Sequence, residues 1–261
     1  MQFSFNYKIF YAKIGGMERI KIVIQYNGKN FSGFQVQPEK RTIQGEIEKV
    51  LEFLFKMPIK IYAAGRTDAK VSALAQVAHF DIDKDINEKS LLSSMNALLP
   101  DDIAILEVEK VTDSFDARFS VKKKTYWYKF YVSKFELPLF KDTALRINDY
   151  ADVKLMNDAC KYLVGEHDFE SFVARKSGKT DFVRTIYDAK IISIGDGLYA
   201  LEITGNGFLY NMVRIIFGTL LMVGYKKIKP EEIKDIIEAK SRERAGKTMP
   251  AEALLMKKVE Y

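Results

Sequence analysis

Hydrophobic positions along the chain change period several times, and those changes divide it into elements. From Arg19 to Tyr26, "RIKIVIQY", apolar side chains alternate with polar ones, the period of a strand with one buried face. Its exit, "NGKNFSGF", is Gly-rich. Thr42 then stands where a helix cap belongs, and Ile43, Ile47, Val50, Leu51 and Leu54 fall on one helical face. Ile59 to Ala64 and Gln76 to Ile82 read as strands. Asn87 caps a helix reaching about Leu99, closed by Pro100, and Ile103 to Val111 is a further strand. The order is β-α-β-β-α-β.

The same order then recurs. Thr125 to Val132 is an aromatic strand, and Asp152 caps a helix that Gly165 ends. Thr185 to Ile194 and Leu198 to Thr204 form a hairpin around "GDG". Phe208 to Val223 reads as a helix, Pro230 opens a short additional one, and Leu254 to Glu260 closes as a strand. The recurrence predicts an α+β fold of two ferredoxin-like (RRM-like) halves, residues 17–120 and 121–261, with sheets side by side and a central cleft. Residues 1–16 lack the apolar core and cleavage site of a secretory signal. They read as an N-terminal extension, a mis-assigned start or a loose arm, with no function assigned.

Composition narrows the classes. With 261 residues, 48% of them hydrophobic, the chain can bury one large core or two smaller ones. Lys plus Arg outnumber Asp plus Glu by 41 to 35, a net charge of +6 that suits a nucleic-acid partner without requiring one. Cys160 is the single cysteine, so an intrachain disulfide and a multi-Cys zinc site are excluded, and a reducing, cytoplasmic compartment is expected. The most apolar run, Phe208 to Val223, is too short for a bilayer and carries Asn211 and Arg214, so no membrane role is expected. His79 and His167 lack the spacing of a metal site, and no metal is expected.

Three features carry candidate chemistry. In "YAAGRTDAKVSA" the triplet Arg66, Thr67, Asp68 interrupts small and apolar residues just after a strand. Asp68 reads either as an Asx-turn aspartate with Arg66 as its surface partner, or as a carboxylate on the floor of a cleft. Arg214 lies in "FLYNMVRIIFGTLLMV", apolar on nearly every side. A buried guanidinium needs a carboxylate, a phosphate or carbonyl oxygens. A purely structural ion pair is one reading; the other brings Asp68 across from the opposite half, where Arg214 holds it ionised and aimed as nucleophile or base. The third feature is "KKKTYWYKFYV". Lys122, Lys123 and Lys124 can meet phosphates, and exposed rings beside them would stack bases. Alternation sends Tyr126, Tyr128 and Phe130 to one face and Trp127 and Tyr131 to the other, with Tyr126 the candidate to face the cleft. Core packing is the competing reading of each ring.

These segments resemble a known family. "AAGRTDAKVSALAQVAHF" is similar to the signature of the tRNA pseudouridine synthase A (TruA) family, usually A-G-R-T-D-A-G-V-H-A. "YNGKNFSGFQVQ", "NALLPDDIAI", "FDARFSVKKKTYWY", "GEHDFESF", "GFLYNMVRIIFGTLLMVG" and "EALLMKKVEY" match in order. The resemblance implies a cofactor-free isomerase that converts uridine to pseudouridine in tRNA, at positions 38, 39 and 40 of the anticodon stem-loop, and works as a homodimer. It implies that Asp68 is the essential aspartate, that Arg214 pairs with it, and that Tyr126 holds the target base, its hydroxyl taking the C5 proton. It implies that Arg66 helps extrude the nucleotide; Lys70, Arg118, Lys122, Lys123 and Lys124 are the residues expected to contact RNA. The chain departs from the family pattern at Lys70 (usually Gly), Ser72 (usually His), Ala75 (commonly Gly), Asn27 (commonly Asp) and Ala253 (commonly Gly). An alternative reading is a tRNA-binding module or RNA chaperone that has lost catalysis through the Lys70 and Ser72 changes. A small-molecule enzyme on the same frame is a third.

Overall fold

The computed structural model describes residues 16–174 and 181–261. The N-terminal extension read at residues 1–16 therefore lies almost wholly outside the described residues. In the first half, β1 (Glu18–Tyr26) buries Ile20, Ile22, Ile24 and Tyr26, the alternation its sequence predicts. Thr42 caps α1 (Ile43–Phe55), its hydroxyl accepting from the Gly45 amide at 3.2 Å. The strands β2 (Tyr62–Ala63) and β3 (Ser72–Ile82) follow, then α2 (Glu88–Leu98), capped by Asn87, and β4 (Ile103–Val111).

The second half opens with β5 (Lys123–Val132) and a short β6 (Leu145–Ile147) beside it. Asp152 caps α3 (Val153–Cys160), and β7 (Gly165–Asp168) precedes the hairpin β8 (Val183–Gly195) and β9 (Leu198–Gly205). Then come α4 (Met212–Gly224), α5 (Glu232–Glu238) and β10 (Leu254–Glu260). The additional β6 and β7 are too short to show a period. The helix expected from Phe208 starts only at Met212. Asn211 adopts a left-handed conformation at φ 61°, which breaks the apolar run before the helix can begin.

Among the described residues the ten strands form one mixed sheet, β4-β1-β3-β10-β5-β9-β8-β7, with β2 on β3 and β6 on β5. Within each half the order is that of a ferredoxin-like unit: β4-β1-β3-β2 in the first, β10-β5-β9-β8 in the second. The two sheets are therefore not merely side by side. They are fused by β10, which runs parallel to β3 (Leu255 opposite Ser72) and antiparallel to β5 (Leu255 opposite Trp127).

This fusion explains why β2 is so short. Ile59 to Ala64 reads as a strand, yet only Tyr62 and Ala63 pair, opposite His79 and Ala78. Further along the same edge of β3, Ser72 and Ala73 belong to β10. The chain must leave the sheet where one partner yields to the other, and the loop that leaves carries residues 64–71. Apolar side chains of both halves make a single continuous core beneath it.

Candidate active site

That loop is held from nearly every side. The Ala64 amide donates to the Val77 carbonyl at 2.8 Å, and the Ala64 carbonyl accepts from Lys124 Nζ at 2.6 Å. Gln76, fully buried, donates to the Gly65 carbonyl at 2.9 Å. The Thr67 hydroxyl bonds the buried Tyr26 hydroxyl at 2.7 Å, and the Thr67 carbonyl accepts from the Phe34 amide at 3.1 Å. From the other side, the Lys70 amide donates to Phe31 O at 3.2 Å and the Gly28 amide to Ser72 Oγ at 3.0 Å. The segment "NGKNFSGF" is thus the cradle of the acidic loop. Gly33 sits there at φ 105°, and a Cβ on Gly28 would lie 2.1 Å from the Val71 carbonyl oxygen.

Asp68 faces a cleft of about 840 Å3 lined from both halves, by residues 60–68 on one side and 208–213 on the other. Arg214 meets it there, Nη1 to Oδ2 at 3.5 Å, the two side chains 17% and 32% exposed. The pairing across the halves is therefore present, and its cause is visible. Arg214 is in the first turn of α4, its Nε donating to the Met249 carbonyl at 2.6 Å and its Nη1 to Asn211 Oδ1 at 2.7 Å. A guanidinium fixed by two oxygens is held in place, and its Nη1, shared with Asn211, is the nitrogen nearest the carboxylate.

The electrostatics differ from the expectation that Arg214 simply holds Asp68 ionised. Burial raises the Asp68 carboxyl above its ordinary value, and the nearby Arg214 charge opposes that rise without cancelling it. The result is a carboxylate more basic than one in water. Tyr126 lies beside it in the cleft wall, 9% exposed, its ring edge-on to Phe208 at 5.1 Å. Burial, with Tyr26 and Asp68 adding to it, pushes the Tyr126 phenol well above its usual range. Burial thus disfavours the ionised form of the hydroxyl that the resemblance implies takes the C5 proton.

The remaining predicted residues divide. Arg66 and Arg118 are exposed and line the cleft. Lys122 and Lys123 are exposed on the neighbouring surface. Lys124 also lines the cleft but is less exposed. It shares the face of Tyr126 because alternate strand residues point the same way, and its ammonium is bound to Ala64 O. Burial, with the Arg118 charge, lowers its pKa to about 8. Lys70 is turned away, its Nζ 2.8 Å from Glu252 Oε1, and its backbone takes the left-handed conformation, φ 68°, that a glycine adopts freely.

The rings of β5 follow the core-packing reading, with Tyr126 alone among them reaching the cleft. Tyr126, Tyr128, Phe130 and Tyr131 are buried, and Trp127 donates to Glu202 at 2.7 Å beneath the Lys257 ammonium. Neither histidine is arranged for a metal: His79 Nδ1 accepts from the Ala117 amide and His167 Nε2 contacts the Val164 carbonyl. Sequence reasoning missed Lys60, Phe119 and Tyr210, which also line the cleft. Phe119 and Tyr210 stand inside motifs already noted, "FDARFS" and "GFLYN", but nothing in periodicity marks them as facing a site.

Fold and site together define a class: an α+β protein of two fused, like halves, with a carboxylate lining a shared cleft, a guanidinium of the other half paired to it, and exposed arginines in the cleft wall. Residues 22–120 and 159–261 match the family described as tRNA pseudouridine synthase, and the chain belongs to that family. It is 46% identical over 251 residues to tRNA pseudouridine synthase A of Anoxybacillus flavithermus, covering 94% of this chain and 99% of that protein. To tRNA pseudouridine synthase A of Bacillus subtilis it is 46% identical over 245 residues, covering 93% and 99%. Among solved structures, a chain of a Cbf5-Nop10-Gar1 complex aligns with 77% of this chain and 54% of its own length, at 14% identity and a TM-score of 0.32, a likeness too slight to bear on the site.

Proposed function

We propose that the chain is a tRNA pseudouridine synthase in which Asp68 acts on a uridine extruded into the cleft. The observation that carries the reading is the Asp68–Arg214 pair at 3.5 Å, made between halves at a cleft with exposed arginines in its wall, in a chain of this family. The reaction moves one bond. The N1–C1′ glycosidic bond breaks, the base turns, C5 joins C1′, the C5 hydrogen leaves and N1 gains a proton. Asp68 either attacks as a nucleophile or removes a ribose proton to give a glycal. A carboxylate raised in basicity by burial suits both routes.

Arg214 fixes the carboxylate's direction, and Tyr126 packs against the base with its hydroxyl donating. Arg66, at the exposed lip, fills the space the nucleotide leaves, and Arg118, Lys122 and Lys123 meet phosphates. Extrusion costs a few kcal/mol in a stacked stem, which these contacts offset. The relatives' names support tRNA as the substrate. Uridines 38, 39 and 40 of the anticodon stem-loop are the expected targets, and a homodimer in the cytoplasm is the expected working form. Halves divided near residue 120 remain the working description of the domains.

The test is tritium release from tRNA containing 5-tritiated uridine. Wild type releases tritium, and Asp68→Asn lowers the rate at least about 1,000-fold while binding tRNA with similar affinity, the scale expected for removing a group that acts on the reacting atoms. Equal release from both proteins would exclude Asp68 from the chemistry. Binding without release by wild type would favour a tRNA-binding module instead.

A further inference from the structure

The cleft has an aromatic side chain at its edge that the reaction above does not use. Phe119 is 80% exposed, so its ring contributes almost nothing to the core, yet it lines the same cavity as Asp68. A single exposed phenylalanine on a loose loop would call for no explanation. Phe119 is not on a loose loop.

The turn that carries it is pinned at each residue. Asp116 Oδ1 accepts from the amides of Arg118 and Phe119 at 2.7 and 2.9 Å. The Ser120 amide donates to the Asp116 carbonyl at 2.9 Å, and the Asp116 amide donates to Ser120 Oγ at 3.0 Å. The Ala117 amide donates to His79 Nδ1 at 3.1 Å, and the Ala117 carbonyl accepts from the Tyr261 hydroxyl at 2.7 Å. Arg19 Nη1 donates to the carbonyls of Asp113 and Phe115 at 2.6 and 2.8 Å. Polar groups from β1, β3 and the C-terminus, the buried His79 among them, are thus committed to fixing a turn whose apex is a largely exposed ring.

The ring has company. The Arg118 guanidinium stands 5.3 Å from its centroid, placing a cation beside an open π face. By contrast, the exposed Tyr62 ring at the same cleft is already stacked on His79 at 5.4 Å. A nucleobase is the ligand that answers both features of Phe119: it offers a flat face to the ring, and its phosphate answers the guanidinium.

We propose that Phe119 is a base-stacking platform, on which a nucleotide flanking the extruded uridine rests while Arg118 takes its phosphate. The inference deepens the functional reading above and rests on it. A ring on a fixed turn compensates part of the stacking lost when the target leaves the helix, and only its two side-chain torsions remain to be ordered.

The experiment uses the full-length protein and an anticodon stem-loop RNA with a 5-tritiated target uridine. Phe119→Ala, Phe119→Leu and Phe119→Trp are compared for stem-loop Kd, kcat/KM and Tm. Alanine and leucine weaken binding and kcat/KM by about 10- to 100-fold, the range that removal of a base–aromatic stack produces. Tryptophan stays within about threefold of wild type, and Tm is unchanged in all three because the ring is outside the core and meets only the exposed Arg118. Leucine separates a π platform from a mere apolar surface. Replacing the nucleotide beside the target with 5-iodouridine gives a photo-crosslink at Phe119.

A Phe119→Leu protein equal to wild type would overturn the proposal. So would a variant altered only in self-association, or a crosslink falling elsewhere. An inactive wild type that still binds the stem-loop would defeat the synthase reading alone, since Kd and the crosslink report on Phe119 independently.

Discussion

At the scale of single residues, the acid–base behaviour of the cleft follows from a contest between burial and one neighbouring charge. Burial raises Asp68, and Arg214 offsets that in part. Catalysis needs the ionised form, so kcat/KM falls as pH drops through a pKa above the ordinary carboxylate value of about 3.9. Arg214→Met removes the opposing charge and moves the acid limb higher still, whereas Arg214→Lys restores part of the shift. A pH–rate profile of the two variants checks this, and an unmoved limb would remove Arg214 from the control of Asp68. The sign for stability runs the other way from a salt-bridged carboxylate. With the folded pKa above the unfolded one, the folded state binds the proton more tightly, and ionisation costs stability as pH rises between the two values.

Much at this scale was legible and some was not. A guanidinium in an apolar run demands an oxygen partner, so Arg214 could be paired with Asp68 from solvation cost alone. That Lys124 faces the acidic loop was accessible from strand alternation, since it shares parity with Tyr126. That Lys70 is paired with Glu252 was not, because the two are brought together only by the junction of β3 and β10.

At the scale of elements, the acidic loop depends on a second loop that supplies its backbone partners. The segment between β1 and α1 packs its backbone directly against residues 67–71, through Gly28, Phe31 and Phe34. Gly28→Ala places a Cβ 2.1 Å from the Val71 carbonyl oxygen, a contact that only backbone movement relieves. It is expected to cost about 1–3 kcal/mol of stability, as overpacking does. It should lower kcat by about 100-fold, more than it raises KM, because a displacement of about 1 Å in a positioned carboxylate suffices for that. Denaturant melts and steady-state kinetics measure both. A variant with normal kcat would show that the cradle does not set the geometry of Asp68. The caps at Thr42, Asn87 and Asp152 were readable because a cap is a local interaction within four residues. The start of α4 was not, since Asn211 takes a left-handed backbone inside an apolar run whose period gives no sign of the break.

At the scale of the whole molecule, the C-terminal strand carries the connection between halves. It is interior to the sheet, with β3 on one side and β5 on the other, and it buries Leu254, Leu255, Met256 and Val259. Four buried apolar side chains are worth about 6–12 kcal/mol, comparable to the entire stability of a typical domain. Removing residues 254–261 is therefore expected to abolish cooperative thermal unfolding, observed by near-UV circular dichroism and calorimetry. A truncated chain that still melts in one sharp transition would mean the halves do not rely on β10.

Periodicity and capping, both local, settled by themselves that there are two like β-α-β-β-α-β units, where most helices begin, and that one acid and one buried arginine stand apart from the rest. Those properties are carried by residues a few positions apart, whose spacing alone decides which face is apolar. Three things were left to the tertiary structure. They are the fusion of two sheets through β10, the burial that makes Asp68 more basic despite its cationic partner, and the exposure of Phe119 on a pinned turn. Each depends on surfaces contributed by segments far apart in the chain, where desolvation and strand competition act only once the fold has brought them into contact.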